Sequence, residues 1–527
     1  MDILKIKGLN VSFEKQGARF SAVIDAGFSV GADEAVGLVG ESGSGKTVTG
    51  LSVMRILPHR AVVESGSIMF DGEEIVNLPE KRMRHIRGRG IGMVFQEPFT
   101  SLNPVFTVGS QIDEVFLAHK KMSAREARDK TVGILGRVRM NDPERVYYSY
   151  PHRLSGGERQ RVMIAMAVAL EPKLLIADEP TTALDVTVQA GIIELLRELR
   201  TELGMSILFI THDFGIINSI ADRVVVMKSG RVIEQAPKDV IMKSPAHEYT
   251  KELIAAAGIL SFGGKKKGGG DNIILEAVGV TKTFAVERGF MRKRSGSVRA
   301  VNNVSMSIRQ ARTMGLVGET GCGKTTFGRL VLGLEKPDSG DIIVDGESIM
   351  KGPPRRVREM MQIVFQDPYG SLDPRMRMGD IVLEGADLLG LGASARKKAL
   401  GDALERVKLS PDDAAKYPHQ FSGGQRQRIA IARALAVRPR FLVLDEPVSS
   451  LDMLIQRDIL ALLEDLKREM GLTYLFISHD LRVIESISDD VCVMKDGEIV
   501  ESGPCAEVYN NPGHPYTKKL IASIPQL

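Results

Sequence analysis

The chain has no tryptophan and only three cysteines among its 527 residues. Aromatic residues of all kinds make up 5%, too few to favour the stacking platforms of single-strand nucleic-acid binders. Cys322, Cys492 and Cys505 are odd in number and show no metal-ligand spacing. That argues against a disulfide framework or a zinc site and points to free thiols in a reducing compartment. Charge of one sign is also scarce. Seventy Lys+Arg against 66 Asp+Glu leave +4, too little over this length for a nucleic-acid surface. No run approaches the ~18 consecutive apolar residues of a membrane span. The opening MDILKIKGLNVSF alternates apolar and polar residues like a strand and lacks a secretory apolar core, so the cytoplasm is expected. With 43% hydrophobic and 26% charged residues the chain is ordinary for a globular protein, which excludes dominant disorder and collagen-like repeats.

What is present is a long internal repeat. GESGSGKT from Gly40 returns as GETGCGKT from Gly318, and VFQEP from Val94 returns as VFQDP from Val364. LSGGERQR from Leu154 matches FSGGQRQR from Phe421, ADEPTTALD matches LDEPVSSLD, and ITHD matches ISHD. The tails agree too: HEYTKELIAA from His247 pairs with HPYTKKLIAS from His514. From the Ser-Gly-Gly motif onward the offset is constant, which means two complete domains in tandem rather than a solenoid. We expect a first domain over 1–257, a linker over 258–271 and a second domain over 272–527. The GILSFGGKKKGGG stretch within that linker cannot bury a core. A flexible coil of ~16 residues reaches about 22 Å, enough to join neighbouring domains.

EAVGLVG and RTMGLVG read as short buried parallel strands, each running into G-x-x-x-x-G-K-T and then a helical pattern. This is the context that a phosphate-binding loop requires. In such a loop the glycines let successive backbone N–H groups turn inward, and the helix N-terminus adds partial positive charge. The residues are Gly40, Glu41, Ser42, Gly43, Ser44, Gly45, Lys46 and Thr47, then Gly318, Glu319, Thr320, Gly321, Cys322, Gly323, Lys324 and Thr325. Lys46 and Lys324 are expected to reach the β- and γ-phosphates of ATP or GTP, and Thr47 and Thr325 to offer a hydroxyl to Mg²⁺. Cys322 is a small residue that such a loop tolerates.

LLIADEP and FLVLDEP place two acids at the end of an apolar strand, where carboxylates face a phosphate site. Asp178 and Asp445 are expected to hold Mg²⁺ through water, and Glu179 and Glu446 to orient or deprotonate an attacking water. His212 and His479 end the next apolar strands, where a ring nitrogen can donate to the γ-phosphate. Both copies carry the full set, so two hydrolysis-competent sites are expected.

Phosphate loops are widespread, but Ser155-Gly156-Gly157 and Ser422-Gly423-Gly424 at the start of a helix narrow the field. Together with the Gln, Asp and His elements they resemble the ATP-binding cassette family over nearly the whole chain. The resemblance implies an α/β fold: two tandem P-loop NTPase domains, each with a mostly parallel sheet core, an antiparallel β subdomain and a helical subdomain. It implies that each signature serine caps the γ-phosphate held by the other cassette, so Lys46 and Glu179 work with Ser422, and Lys324 and Glu446 with Ser155. It also implies Q-loop roles for Gln96 and Gln366 toward Mg²⁺ and water, D-loop positions for Asp185 and Asp452, and adenine stacking on Phe13 and Phe284. This chain departs from the family pattern in Glu158 for Gln, Phe421 for Leu, and Phe for the commoner Tyr at the adenine position.

QEPFTSLNP, QDPYGSLDP, YPHRLSGG, YPHQFSGG and the H-x-Y-T-K-x-L tails resemble the oligopeptide, dipeptide and nickel importer branch. That resemblance implies ATP hydrolysis at the cytoplasmic face of the inner membrane. Two integral-membrane permease subunits and an extracytoplasmic binding protein are the implied partners, with the two cassettes pairing within the chain and no nucleic acid bound. The regions 97–150 and 367–415 would dock the permeases. The alternative is a soluble tandem cassette acting on ribosomes or nucleic acid. The basic clusters Lys265-Lys266-Lys267 and Arg292-Lys293-Arg294 read as solvated loops, His152 and His419 as braces of the signature loops.

Overall fold

The computed structural model describes residues 1–15, 18–182, 184–259, 272–288, 293–387, 390, 392–449 and 451–525. The linker expected at 258–271 therefore lies outside the described residues except for its first two positions. So do Lys265-Lys266-Lys267 and Arg292, and the side chains of Lys293 and Arg294. The chain forms two compact units, one built mainly from Met1–Leu184 and Val188–Ala257, the other mainly from Gly258–Ile524.

In the first unit a six-stranded sheet runs in the order Arg231–Pro237, Arg223–Lys228, Ala35–Val39, Ser206–Thr211, Leu174–Asp178, Ile91–Val94. All neighbours are parallel except the first pair. The three central strands are buried at every position, which is why their sequences are unbroken apolar runs rather than alternating ones. Their register matters for function. Val39 lies beside Thr211 and Asp178 beside Ile210, so the phosphate loop, the acid pair and the histidine all leave the sheet at one edge.

A four-stranded antiparallel sheet, ordered Ala18–Gly31, Asp2–Lys15, Ala61–Phe70, Glu73–Glu74, packs against this core. Leu4, Ile6, Val23 and Ile68 from it share one apolar cluster with Leu38, Ile176 and Leu208 of the parallel sheet. Each such side chain contributes about 1.5–3 kcal/mol on burial, so the two sheets are locked as one body. The helical part, Val108–His119, Ala124–Arg137 and Pro143–Tyr147, lies between Gln96 and Ser155. Ser123 and Glu126 start its middle helix with a reciprocal capping box.

The second unit repeats the plan. Its six strands run Met361–Val364, Phe441–Asp445, Thr473–Ser478, Thr313–Val317, Asp490–Lys495, Glu498–Pro504, with only the last pair antiparallel. Its antiparallel sheet is ordered Lys293–Arg309, Ile273–Arg288, Ser339–Val344, Glu347–Ser348. No helix among the described residues is long and apolar enough to cross a membrane. None of the three cysteines forms a disulfide, and all three are buried. Burial pushes the Cys322 thiol above its ordinary pKa despite nearby Lys324, which suits a packed small residue rather than a reactive thiolate.

Candidate functional site

Each loop is shaped by glycines that no other residue can replace cheaply. Gly45 (φ 99°) and Gly323 (φ 110°) close the loops just before helices Lys46–Met54 and Lys324–Val331. A Cβ on Gly45 would sit 2.6 Å from the Ala22 carbonyl oxygen, and on Gly323 2.0 Å from that of Ala300. The antiparallel sheet is thus pressed against the loop. Gly230 N–H donates to the Ser44 carbonyl at 3.1 Å, and Gly497 N–H to the Cys322 carbonyl at 3.0 Å, holding each loop from the other side.

Lys46 and Lys324 are 5% exposed, and their ammonium groups lie along the loops. Lys46 donates to the carbonyls of Gly40 and Glu41, each at 2.7 Å; Lys324 donates to those of Gly318 and Glu319 at 2.7 and 2.9 Å. Ser42, Gly43, Thr320 and Gly321 form the loop crests, where Gly43 and Gly321 also take positive φ.

The acids stand beside the loop threonines. Thr47 Oγ1 donates to Asp178 at 3.0 Å and Thr325 Oγ1 to Asp445 at 3.1 Å. Burial raises the Asp178 pKa to about 6, against the opposing bond from Thr47, and burial also shifts the Asp445 carboxyl upward. A hydroxyl and a buried carboxylate that a cation would stabilise are the hard oxygen donors Mg²⁺ takes.

Glu179 and Glu446 are held from several sides. Both occupy left-handed backbone (φ 45° and 48°), a conformation costing about 1–3 kcal/mol for a residue with a Cβ. The backbone N–H of each is fixed by the carbonyl of Ile210 or Ile477. Gln96 Nε2 donates to Glu179 at 2.9 Å and Gln366 Nε2 to Glu446 at 2.8 Å. His212 Nδ1 lies 3.2 Å from Glu179, and His479 Nδ1 3.0 Å from Glu446. Burial opposes ionisation of Glu179, but the hydrogen bond and charge of His212 outweigh it and bring the pKa to about 2. Glu446 is lowered in the same way, while burial of His479 is outweighed by Glu446, which raises the imidazole pKa. Such carboxylates stay ionised and suit orienting a water and accepting its hydrogen bond.

The remaining expected residues do not join this cluster within their own unit. Ser155-Gly156-Gly157 and Ser422-Gly423-Gly424 open the helices Gly156–Val168 and Gly423–Leu435. Ser155 and Ser422 cap them in reciprocal boxes with Glu158 and Gln425. The Glu158 departure therefore keeps the cap and adds a charge, paired with Arg145 at 2.9 Å. Asp185 accepts from Thr187 Oγ1 at 2.8 Å, and Asp452 is the N-cap residue of Met453–Met470. Phe13 is half-buried and Phe284 39% exposed, both on the antiparallel sheets. His152 and His419 stack on Tyr150 and Tyr417 beside the signature loops. Sequence reasoning missed Thr182, whose Oγ1 donates to Glu179 at 2.9 Å, and gave no role to Tyr249 and Tyr516.

Two units with a phosphate loop, an aspartate beside the loop threonine and a glutamate held by histidine and glutamine define a tandem P-loop ATPase. Residues 23–182 and 301–449 match the ABC transporter family, and residues 233–277 and 500–527 match the oligopeptide/dipeptide transporter C-terminal region. The chain belongs to the ABC transporter family and is an ATPase of that family. It is 47% identical to the peptidoglycan transport ATP-binding protein YejF of Agrobacterium fabrum, over 99% of this chain and 96% of that protein. It is 43% identical to the glutathione import ATP-binding protein GsiA of Pectobacterium atrosepticum, over 99% of this chain and 89% of that one. The same identity holds for GsiA of Escherichia coli K12, over 99% and 90%.

Proposed function

We propose that this chain is the energy-coupling subunit of an importer for peptides or related small substrates. It would work at the cytoplasmic face of the inner membrane with two integral-membrane permease subunits and an extracytoplasmic substrate-binding protein. The observation that carries this reading is the oligopeptide/dipeptide transporter region following each ATPase region. Full-length relatives named for peptidoglycan and glutathione transport support it. The domain boundaries that fit are 1–257 and 272–527, joined by 258–271. Exposed Val105 (71%) and Phe106 (55%), in the turn between Gln96 and the helix Val108–His119, support 97–150 as a permease-docking region.

In each half the loop N–H groups and Lys46 or Lys324 bind the β- and γ-phosphates. Phe13 or Phe284 stacks on the adenine. Mg²⁺, when bound, neutralises charge on the phosphate oxygens, and Thr47 with Asp178, or Thr325 with Asp445, would hold it beside Gln96 or Gln366. Glu179 or Glu446, fixed by His and Gln, orients water in line with the γ-phosphorus. The water oxygen bonds to phosphorus as the bond to the β–γ bridging oxygen breaks, ADP departs with that oxygen, and the water proton passes to the carboxylate or the phosphate. Protein positioning and charge carry the rate. From the family resemblance we propose that the other cassette's signature completes each site: Ser422-Gly423-Gly424 for the first, Ser155-Gly156-Gly157 for the second.

The test is ATPase activity of the purified chain with and without the permease pair encoded beside its gene, repeated for Lys46→Ala and Lys324→Ala. Permease-stimulated activity lost in each variant is the expected result. Activity indifferent to permeases but stimulated by ribosomes or DNA would replace the importer with a soluble cassette ATPase.

A further inference from the structure

The repeated tail H-x-Y-T-K-x-L has no part in the chemistry above, yet in both units its tyrosine reaches the phosphate loop. Tyr249 is 3% exposed and Tyr516 7% exposed. The Tyr249 hydroxyl accepts from the Glu41 N–H at 3.3 Å, and the Tyr516 hydroxyl from the Glu319 N–H at 3.1 Å. Glu41 and Glu319 are the second residues of the loops, and their carbonyls, with those of Gly40 and Gly318, take Lys46 and Lys324. Tail tyrosine and phosphate-reading lysine therefore grip one residue from its two ends.

The spacing of the motif follows from how this tyrosine is placed. In the first unit Glu234 accepts from the N–H groups of Ala246 and His247, at 2.7 and 3.1 Å. The His247 ring then accepts from the Tyr249 N–H at 3.1 Å, which fixes the first turn of the tail helix. Lys228 Nζ stands 4.2 Å from the centre of the Tyr249 ring. The second unit repeats every step with Glu501, His514, Tyr516 and Lys495, the last at 5.2 Å. A tyrosine needed only to pack the helix would not require its hydroxyl on the same loop N–H in both copies.

We propose that Tyr249 and Tyr516 are positioning residues for ATP: each sets its own unit's phosphate loop from the tail helix through the second loop residue. The proposal rests on the reading of these loops as the ATP sites. Without the hydroxyl, the Glu41 or Glu319 N–H loses this acceptor and the peptide plane at the loop entrance gains freedom to rotate. The ring and its packing are untouched by Tyr→Phe.

The test uses the full chain and calorimetric titration with ATP. Tyr249→Phe is measured in the Lys324→Ala background, where only the first site binds, and Tyr516→Phe in the Lys46→Ala background. Each is expected to raise Kd at its own site about tenfold. In the otherwise unaltered chain each single Tyr→Phe variant should raise KM for ATP and leave kcat at saturating ATP within about twofold of the parent value, since the hydroxyl acts on binding alone. Leu253→Ala, on the same helix and 3% exposed, is the packing control: it should lower Tm without moving Kd. Unchanged Kd in both Tyr→Phe variants, or an equal Kd shift in Leu253→Ala, would overturn the proposal. Wild-type ATP affinity in the Lys46→Ala, Lys324→Ala double variant would instead remove the loop reading itself, and the tyrosine proposal with it.

Discussion

The side-chain amide of Gln96 donates directly to the Glu179 carboxylate at 2.9 Å, on the oxygen that Thr182 also holds. Gln96 opens the segment that leads into the helical part, so one hydrogen bond links that part to the carboxylate proposed to orient water. Gln366 and Glu446 repeat the link at 2.8 Å. In this geometry the glutamate is restrained before the reaction and needs little reorganisation during it.

Glu179→Gln and Glu446→Gln keep the volume and the bond to the neighbouring amide but remove the negative charge. Each is expected to lower turnover at its own site by about a hundredfold or more while ATP stays bound. Single-turnover hydrolysis with radiolabelled ATP, followed by analysis of the retained nucleotide, checks this. Normal turnover in both single variants would remove the water-orienting role.

Thr182 and Ser449 occupy the same repeat position, and each lowers the pKa of the glutamate beside it. Thr182 donates to the carboxylate of Glu179 at 2.9 Å; the Ser449 hydroxyl serves the Glu446 carboxylate and also donates to the Glu446 backbone carbonyl at 3.2 Å, so it divides its bond. Thr182→Val should slow the first site about threefold to tenfold, and Ser449→Ala should slow the second by less. The kcat of the chain carrying Thr182→Val or Ser449→Ala alone decides it; equal losses would show that the two hydroxyls are equivalent.

These two hydroxyls mark where sequence reading stops. The loops, acids and histidines were legible because buried parallel strands leave long apolar runs and their ends must converge at one sheet edge. The paired repeats made the fold legible for the same reason. No sequence pattern marks Thr182 or Ser449, and only side-chain direction brings each to its glutamate. Tyr249 lies more than two hundred positions from Glu41, beyond any local pattern, although its recurrence in both tails was visible. The bulges that bring the Ala22 and Ala300 carbonyls to the loops are register features without a residue signature.

Gly45→Ala and Gly323→Ala each put a Cβ into left-handed backbone and against a carbonyl oxygen, at 2.6 and 2.0 Å. Strain of about 1–3 kcal/mol plus the displaced sheet edge should lower Tm and abolish ATP binding in the affected half. Thermal melts with and without ATP test both at once: the variant half should lose its ATP-dependent stabilisation. Full retention of that stabilisation would mean the loops tolerate a Cβ and do not clasp phosphate in this geometry.

Chelating divalent cations separates binding from chemistry. The loop N–H groups and Lys46 or Lys324 carry no metal dependence of their own, so ATP should still bind in EDTA, more weakly, while hydrolysis falls to background. Asp178→Asn should mimic the loss at the first site even with Mg²⁺ present. Hydrolysis that persists in EDTA would exclude a metal role for Asp178 and Asp445.

Glu158 carries the remaining asymmetry between the copies. Burial opposes its ionisation, but the Ser155 backbone bond and Arg145 keep its pKa below the ordinary value, so it is charged near neutrality. Its counterpart Gln425 makes the same cap without charge. If Ser155 serves the γ-phosphate bound at Lys324, that carboxylate repels the ligand, by an amount that Arg145 reduces. Glu158→Gln keeps the capping box and gives up only a half-exposed ion pair worth about 0–1 kcal/mol. It should therefore leave Tm nearly unchanged and tighten ATP at the second site about threefold in the Lys46→Ala background. High salt should shrink the gain, because screening weakens the repulsion being removed. Weaker or unchanged binding would indicate that the Ser155 helix does not face that phosphate, and would count against the paired-signature arrangement for the second site.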